Sequence, residues 1–203
     1  MTDASGDILS VLLVEGQTEA IFYGRVKDKY LLKANCACKI ESIGGLYNIH
    51  DKVLHALETK NTDRLVRAYC CLDRESRYAK TPAFDLGFIR SELKRDKVKN
   101  VLSVDQIIAT QMIESWFFHD IMGIYKHLKV PKTNRNPTTY TPVERFRVKD
   151  LKDLFRRYNK VYTEGDRARH FIESLDIELI YRRCKALREG IELIQNAERC
   201  KKK

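Results

Sequence analysis

The sequence predicts an α/β fold in which a parallel sheet of about four strands lies between helices and is followed by a helical C-terminal extension. Three observations predict it. Four apolar runs of strand length occur before residue 105, the stretches between them carry apolar residues at helical spacing, and only helical spacing remains beyond residue 143. Strands that alternate with helices are typical of βαβ units, and these units build parallel sheets.

The first predicted strand covers residues 8–14 (ILSVLLV). A continuous apolar run that includes β-branched residues is typical of a strand buried on both faces. Three further strands are predicted at residues 36–43, 65–72 and 99–104. Apolar residues three and four positions apart predict the intervening helices at residues 18–32, 46–57 and 85–95.

The rear of the chain is predicted to be helical. Residues 110–128 have helical spacing, and residues 129–142 hold three of the four prolines and indicate a loop. Three further helices are predicted at residues 148–161, 166–175 and 178–197. The predicted organisation is an α/β domain at 1–128, a linker loop at 129–143 and a basic helical extension at 144–203 that packs on the core.

Charge is unevenly divided along the 203 residues, whose net charge is +10. Residues 1–131 carry +2, whereas residues 132–203 hold 19 basic and 11 acidic side chains and carry +8. A basic region favours a polyanionic partner such as nucleic acid, although solubility alone makes many small proteins basic. With 43% apolar and 33% charged residues, the composition excludes collagen-like, low-complexity and disordered chains.

The cellular compartment is predicted from the absence of transmembrane and secretory signals in the sequence. No apolar run approaches the roughly 20 residues that cross a bilayer, and the first seven residues carry two acids and no basic residue, unlike a secretory signal. The six cysteines lack the paired spacing of a zinc site. We therefore expect reduced, mostly buried thiols in a cytoplasmic protein that does not contact a membrane.

Acidic residues follow two of the predicted strands. Glu15 follows the first, and Asp73 and Glu75 follow the third. Because ligands collect beyond the carboxyl ends of parallel strands, these acids share one crevice if the two strands are adjacent. Carboxylates are preferred ligands of Mg²⁺ and Mn²⁺, and crowded carboxylates are costly unless a cation neutralises them. A metal site is the favoured interpretation over separate solvated acids. Glu19 lies in a first helical turn, where the helix dipole favours an acid in any case.

Two motifs carry a resemblance to a known family. The run VEGQTE at residues 14–19 and the run LDRE at residues 72–75 resemble the Toprim domain, whose signature is Glu-Gly after strand one and Asp-x-Asp after strand three. Toprim is the metal-binding domain of topoisomerases, primases, recombination proteins and OLD-family nucleases. The Glu-Gly-x-Thr-Glu form is most similar to OLD-type nucleases and to small Toprim-like bacterial proteins associated with phage defence. The resemblance covers most of the chain, most strongly in the first 120 residues.

The resemblance implies roles for the acids at the strand ends. Glu15 is implied to be a metal ligand or general acid/base, and Asp73 a metal ligand. Glu75 stands where the family has its second Asp and is longer by one methylene, which changes the metal spacing. Glu114, in an acidic helix that carries a tryptophan, would complete the site; otherwise it is a helix acid beside the core.

The implied function is a Mg²⁺- or Mn²⁺-dependent nuclease that hydrolyses phosphodiester bonds of DNA or RNA. The candidate phosphate-binding residues are Arg74, Arg156, Arg157, Lys160, Arg167 and Arg169. Their alternative role is a solvated helix face. Two other functions stay open: a catalytically weak subunit of an ATPase complex, or a nucleic-acid-binding protein that does not cleave. A homodimer is compatible with the sequence, but no pattern indicates one.

Overall fold

The protein contains a four-stranded parallel sheet. The computed structural model describes residues 8–32, 37–45, 47–59, 64–73, 84–109 and 112–199. The strands are β1 (Leu9–Val14), β2 (Cys38–Ser42), β3 (Val66–Asp73) and β4 (Val101–Ala109). They lie in the order β2-β1-β3-β4, and all three strand pairs are parallel. The predicted α/β class with four parallel strands is confirmed.

Helices fill the connections and the whole C-terminal part of the described chain. They are α1 (Gln17–Val26), α2 (Ile49–Glu58), α3 (Leu86–Arg95), α4 (Ile113–Phe117), α5 (Ile121–His127), α6 (Val148–Arg157), α7 (Arg169–Ser174), α8 (Ile177–Arg183) and α9 (Lys185–Arg199). A π-helical turn, Lys27–Leu31, extends α1, and short 3-10 turns join several of the later helices. Within the described ranges, no helix is both long enough and apolar enough to cross a membrane.

The sheet is covered on both faces. Val11 and Leu13 of β1 belong to the apolar cluster formed with α2 and α3. Leu12 and Val14 point to the other face and join the cluster of α1 and the C-terminal helices. Because side chains alternate along a strand, a strand covered on both faces is apolar at nearly every position. This explains the apolar run that predicted β1, in which the polar residue Ser10 is also fully buried.

Strand β4 is longer than its apolar pattern predicted. It continues to Ala109 rather than ending near residue 104. Asp105 and Gln106 interrupt the apolar run, but β4 lies at the edge of the sheet, where polar residues reach solvent. The Asp105 carboxylate forms an ion pair with Arg90 of α3 at 2.9 Å.

The single helix predicted at residues 110–128 is divided at Asp120. The Asp120 carboxylate accepts a hydrogen bond from Gly123 N at 2.9 Å and so caps the start of α5. It also accepts one from Asp176 N at 2.8 Å, which joins α5 to the start of α8. A Cβ on Gly123 would lie 2.0 Å from an Asp120 oxygen, so this cap requires glycine.

The proline-rich stretch predicted as a linker packs against the helices. Val130, Tyr140 and Val143 are buried in the same apolar cluster as the C-terminal helices. The Tyr140 ring stacks on Phe118 with the centroids 4.6 Å apart. The same cluster includes residues of β1 and β3. The domain boundaries at residues 128 and 144 stay a prediction.

Three cysteine thiols are buried within the described chain. Burial raises the pKa of Cys70 to about 12 and that of Cys184 to about 11, and it also raises the pKa of Cys71. A thiol with such a pKa stays protonated at neutral pH, whereas metal binding and nucleophilic attack require the thiolate. These three residues therefore act as small apolar side chains of the core.

Gly190 of α9 allows that helix to lie directly on β4, and its replacement is expected to destabilise the fold. A Cβ at position 190 would lie 2.7 to 2.9 Å from three side-chain atoms of Ile107. We expect Gly190→Ala to lower the free energy of unfolding by about 1–3 kcal/mol in urea titrations. Gly24→Ala in α1 is the matched control, since a Cβ there meets nothing within 4 Å. The control should gain about 0.5–1 kcal/mol from helix propensity. Equal effects of the two substitutions would contradict the close packing of α9 on β4.

Candidate metal centre

An acidic cleft lies at the carboxyl ends of the strands. Its volume is about 450 Å³, and it is bordered by the ends of β1, β2 and β3, the starts of α1 and α4, and the loop before α7. Five acids line it: Glu15, Glu19, Asp73, Glu114 and Glu164. Among the described lining residues there is no Lys, Arg or His. The cleft thus concentrates negative charge inside a protein whose net charge is +10.

Asp73 and Glu114 are brought together by a hydrogen bond between the end of β3 and the start of α4. Asp73 is the last residue of β3, and its carboxylate accepts a hydrogen bond from Ile113 N at 3.0 Å. Glu114 is the next residue of α4, and only 4% of its surface is exposed. Trp116 fixes this short helix, because its buried ring packs against Phe22 of α1 with the centroids 6.1 Å apart.

Glu15 and Glu19 enter the cleft at the junction of β1 and α1. The Glu19 carboxylate accepts a hydrogen bond from Gly16 N at 3.0 Å, which caps the helix and fixes the carboxylate beside the cleft. The Glu15 carbonyl accepts one from Gly45 N at 2.8 Å. Gly44 and Gly45 have φ angles of 73° and 86°, which glycine adopts without strain. This glycine pair therefore brings backbone to the cleft wall.

The C-terminal part of the chain closes one side of the cleft through residues 162–166, here called the strap. The Tyr162 hydroxyl donates a hydrogen bond to Glu114 Oε1 at 3.3 Å, and both groups are buried. Gly165 N donates to the Thr18 hydroxyl at 2.8 Å. The strap thus joins the helical extension to a carboxylate of the cleft and to the first turn of α1.

Burial and mutual repulsion raise the pKa values of these carboxylates. The pKa of Asp73 lies well above its usual value because the group is buried and because Glu114, Glu19 and Glu15 repel its charge. Burial, followed by repulsion from Glu19, raises the pKa of Glu114 to about 8. The pKa of Glu19 is raised by burial and by Glu164, against the hydrogen bond from Gly16. Each shift means that the ionised cluster is unfavourable without a neutralising cation.

The donor set of the cleft fits a hard divalent cation. All five acidic side chains offer oxygen, the ligand atom of Mg²⁺ and Mn²⁺. Across the described residues, no group of three or more His, Cys, Asp or Glu side chains is placed to hold a metal ion. Mg²⁺ is usually held by one or two protein carboxylates and keeps several waters, so Asp73 with one neighbour suffices. The described lining of the cleft contains no cysteine or histidine that could serve as a ligand.

The structure brings four of the sequence-predicted acids into one cleft. Glu15, Asp73, Glu114 and Glu19 all line it. The role of the first three as metal ligands stays a prediction. Two further predicted residues, Glu75 and Arg74, lie outside the described residues.

Glu164 was missed by the sequence reasoning. It lines the cleft and forms an ion pair with Lys152 at 2.7 Å. The only local signal was a second Glu-Gly pair, Glu164-Gly165, which repeats the Glu15-Gly16 pair after β1. Nothing in the spacing showed that the two pairs meet, because they lie about 150 residues apart and are joined by contacts of the strap and α7 with α1.

The predicted phosphate-binding residues lie on the extension, around the strap rather than in the cleft lining. Arg156, Arg157, Lys160, Arg167 and Arg169 are all exposed. Arg156 forms an ion pair with Asp153 at 2.7 Å, and Arg169 forms one with Asp166 at 3.0 Å. Exposed ion pairs of this kind contribute little stability, so both guanidinium groups stay accessible to a phosphate.

The chain was compared with known proteins. No protein-family model and no curated protein matches the sequence. The structure is similar to the C-terminal region of the Burkholderia pseudomallei OLD protein, with a TM-score of 0.49 and 15% identity over 93% of this chain and 97% of that chain. It is also similar to the C-terminal region of the Xanthomonas campestris pv. campestris OLD protein, with a TM-score of 0.41 and 15% identity over 93% of this chain and 94% of that chain. Its function has to be argued from the residues of its own cleft.

Removing the Thr18 hydroxyl is expected to release the strap. In Thr18→Val the shape is kept, but Gly165 N loses its acceptor, which costs about 1–2 kcal/mol locally. Amide hydrogen exchange, followed residue by residue by NMR, should speed up about 5- to 30-fold at Gly165. Thr18→Ser keeps the hydroxyl and should exchange like the wild type. Unchanged protection in Thr18→Val would show that this hydrogen bond does not hold the strap.

Proposed function

We propose that the protein is a divalent-metal-dependent nuclease that hydrolyses phosphodiester bonds of DNA or RNA. One observation carries the proposal: Asp73, Glu114 and Glu19 lie together in a cleft whose described lining offers no cation, and burial and repulsion raise the pKa of each. A fold maintains such a costly arrangement where a bound cation offsets it. Mg²⁺ or Mn²⁺ is the cation that carboxylate oxygens favour.

The residues of the cleft have distinct roles in this proposal. Asp73, fixed by the hydrogen bond from Ile113 N, and Glu114, fixed by Tyr162, hold the metal. A Mg²⁺ or Mn²⁺ ion held by these residues would supply activation of the attacking water and stabilisation of the charge on the phosphate. Glu15, half-buried at the end of β1, is a further ligand or takes the proton from the water. Glu19 keeps the first turn of α1 in place and adds negative charge behind the metal.

The basic extension supplies the affinity for the polynucleotide. Residues 132–203 carry a net charge of +8, and the candidate phosphate-binding Arg and Lys side chains lie on α6, on the loop after it and around the strap. Phosphates that meet this surface release bound counterions, so binding should weaken steeply as salt rises. A role in phage defence and an association with an ATPase are implied by the resemblance to small Toprim-like proteins, and they belong to the same proposal.

The experiment is a titration of Mg²⁺ and Mn²⁺ with three substrates: supercoiled plasmid, single-stranded DNA and single-stranded RNA. We expect cleavage of at least one substrate that requires metal and stops with EDTA. Asp73→Ala and Glu15→Ala should both lose it, while Asp153→Ala, a half-buried acid of α6 outside the cleft lining, should not. The three substrates also decide between DNA and RNA.

Two results would contradict the proposal. Cleavage that persists in both Asp73→Ala and Glu15→Ala would place the chemistry elsewhere or in a contaminant. Binding without cleavage under either metal would favour a nucleic-acid-binding protein, or a catalytically weak subunit that acts with a partner.

A further inference from the structure

A second groove lies between α3 and the edge strand β4, at the amino end of that strand. Its volume is about 460 Å³, similar to that of the acidic cleft, which lies at the opposite end of the strands. One wall is the first four residues of β4, 101–104, and the other is formed by α3 and the turn that follows it. The proposed nuclease function makes no use of this groove.

The rim of the groove is basic. Lys94, Lys97 and Lys99 are exposed, and none of their ammonium groups forms an ion pair or hydrogen bond with another described residue. Residues 90–99 contain five basic and two acidic side chains, although the front part of the chain is nearly neutral. The fourth cation of the groove, Arg90, pairs with Asp105 and donates to Val104 O at 2.7 Å.

The floor of the groove is apolar and is formed partly by strand. Leu93, Val98 and Val101 are buried or half-buried there, and Leu102 is 46% exposed. Because β4 is the last strand of the sheet, one side of it has no neighbouring strand. Extended peptides bind such places by adding along the edge strand and inserting alternate side chains into an adjacent groove.

We propose that this groove binds an acidic, extended segment of another protein, in which Asp or Glu alternates with aliphatic residues. The acids would pair with Lys94, Lys97 and Lys99, and the aliphatic side chains would cover Leu102. The apolar floor favours a peptide over a polynucleotide, whose phosphates gain nothing from an aliphatic surface. A second copy of this chain does not fit, because a two-fold interface would place the same basic rims against each other.

The experiment is fluorescence anisotropy with a fluorescein-labelled peptide of ten residues that alternates Glu with Leu or Val, added to the full chain. We expect a dissociation constant of about 10–100 μM at low salt, a range common for single peptide segments. The triple variant Lys94→Glu, Lys97→Glu, Lys99→Glu should weaken binding at least 30-fold. Leu102→Ser should weaken it about threefold to tenfold.

The matched control reverses three exposed lysines elsewhere, Lys126→Glu, Lys132→Glu and Lys149→Glu, and should bind within threefold of the wild type. Thermal melting checks that all variants are folded. The proposal is overturned if the wild type does not bind the peptide, or if both triple variants bind equally. It is also overturned if a single-stranded oligonucleotide displaces the peptide at equal concentration and depends on the same three lysines, since the groove would then be a phosphate site.

Discussion

Asp73→Asn is expected to abolish phosphodiester cleavage and, at the same time, to stabilise the metal-free protein. Asn keeps the oxygen that accepts the hydrogen bond from Ile113 N, so the connection between β3 and α4 stays in place. It removes the ionisable carboxyl group of Asp73. Burial and repulsion from Glu114, Glu19 and Glu15 raise the pKa of that group, so its ionised form is unfavourable in the fold. We expect a loss of activity of at least about 100-fold. The free energy of unfolding at pH 8 should rise by about 1–3 kcal/mol.

A loss of activity together with a gain in stability distinguishes a functional role of Asp73 from a structural one. A residue that only supports the fold loses stability and activity together, whereas a strained functional group costs stability in the wild type. Asp105→Asn is the control, since Asp105 lies on β4 and pairs with Arg90 at the surface. It should change neither quantity by more than about 0.5 kcal/mol or twofold. Urea titrations and initial cleavage rates measure the two effects. A destabilised Asp73→Asn protein would contradict this account of the cleft.

The stability of the metal-free protein is expected to fall as pH rises from about 5 to about 9. The pKa of Glu114 is about 8 in the fold, above the ordinary value of 4.5 that applies to the unfolded chain. Between these two values the folded state holds a proton that the unfolded chain has lost, so stability is fully present below the lower pKa and is lost as pH rises through the higher one. Each unit of pKa difference corresponds to about 1.4 kcal/mol. Asp73, whose pKa is also raised, contributes in the same direction.

The measurement is the melting temperature from pH 5 to pH 9, with and without Mn²⁺. Without metal, Glu114→Gln should flatten this dependence and melt several degrees higher than the wild type at pH 8. With 1 mM Mn²⁺ the wild type should recover stability at pH 8, because a ligand that binds only the folded state stabilises it. Glu178→Gln is the control: its carboxyl pKa is lowered by Lys29 at the surface, so it cannot cause a loss of stability at alkaline pH. A flat pH dependence in the wild type would refute the raised pKa of Glu114.

The parts of the fold that the sequence predicted are those in which one pattern has one structural cause. The apolar run that predicted β1 is buried on both faces of the sheet. The Glu-Gly pair after β1 and the Leu-Asp pair that ends β3 lie at the same, carboxyl end of these two parallel strands. The sequence does not say whether the two strands are adjacent; the direct pairing of β1 with β3, which joins residues as distant as Leu9 and Val66, brings Glu15 near Asp73. The apolar run and the two acidic pairs themselves depend on short stretches of chain, and short stretches are visible in sequence.

The parts that could not be predicted depend on contacts between distant residues. Asp120 divides a continuous helical pattern because its carboxylate accepts hydrogen bonds from Gly123 and from Asp176, 56 positions away. Glu164 reaches the cleft because the strap is held by distant contacts, among them the hydrogen bond from Gly165 to Thr18, 147 positions earlier. The spacing of hydrophobic residues does not indicate hydrogen bonds between residues that are far apart in the sequence. The predicted β4 was too short for a different reason. An edge strand tolerates polar residues, and the apolar pattern indicates the end of the strand where such residues begin.

Binding of Mn²⁺ to the purified protein tests the central claim most directly. The claim is that the acidic cleft binds a divalent metal even in the absence of substrate. Electron paramagnetic resonance of free Mn²⁺ at pH 8 reports the bound fraction without requiring activity. The account predicts that the wild type and Asp105→Asn bind Mn²⁺ with dissociation constants within threefold of each other, and that Asp73→Asn binds at least about tenfold more weakly. Equal binding by the wild type and Asp73→Asn, or no binding by the wild type at millimolar Mn²⁺, would contradict it.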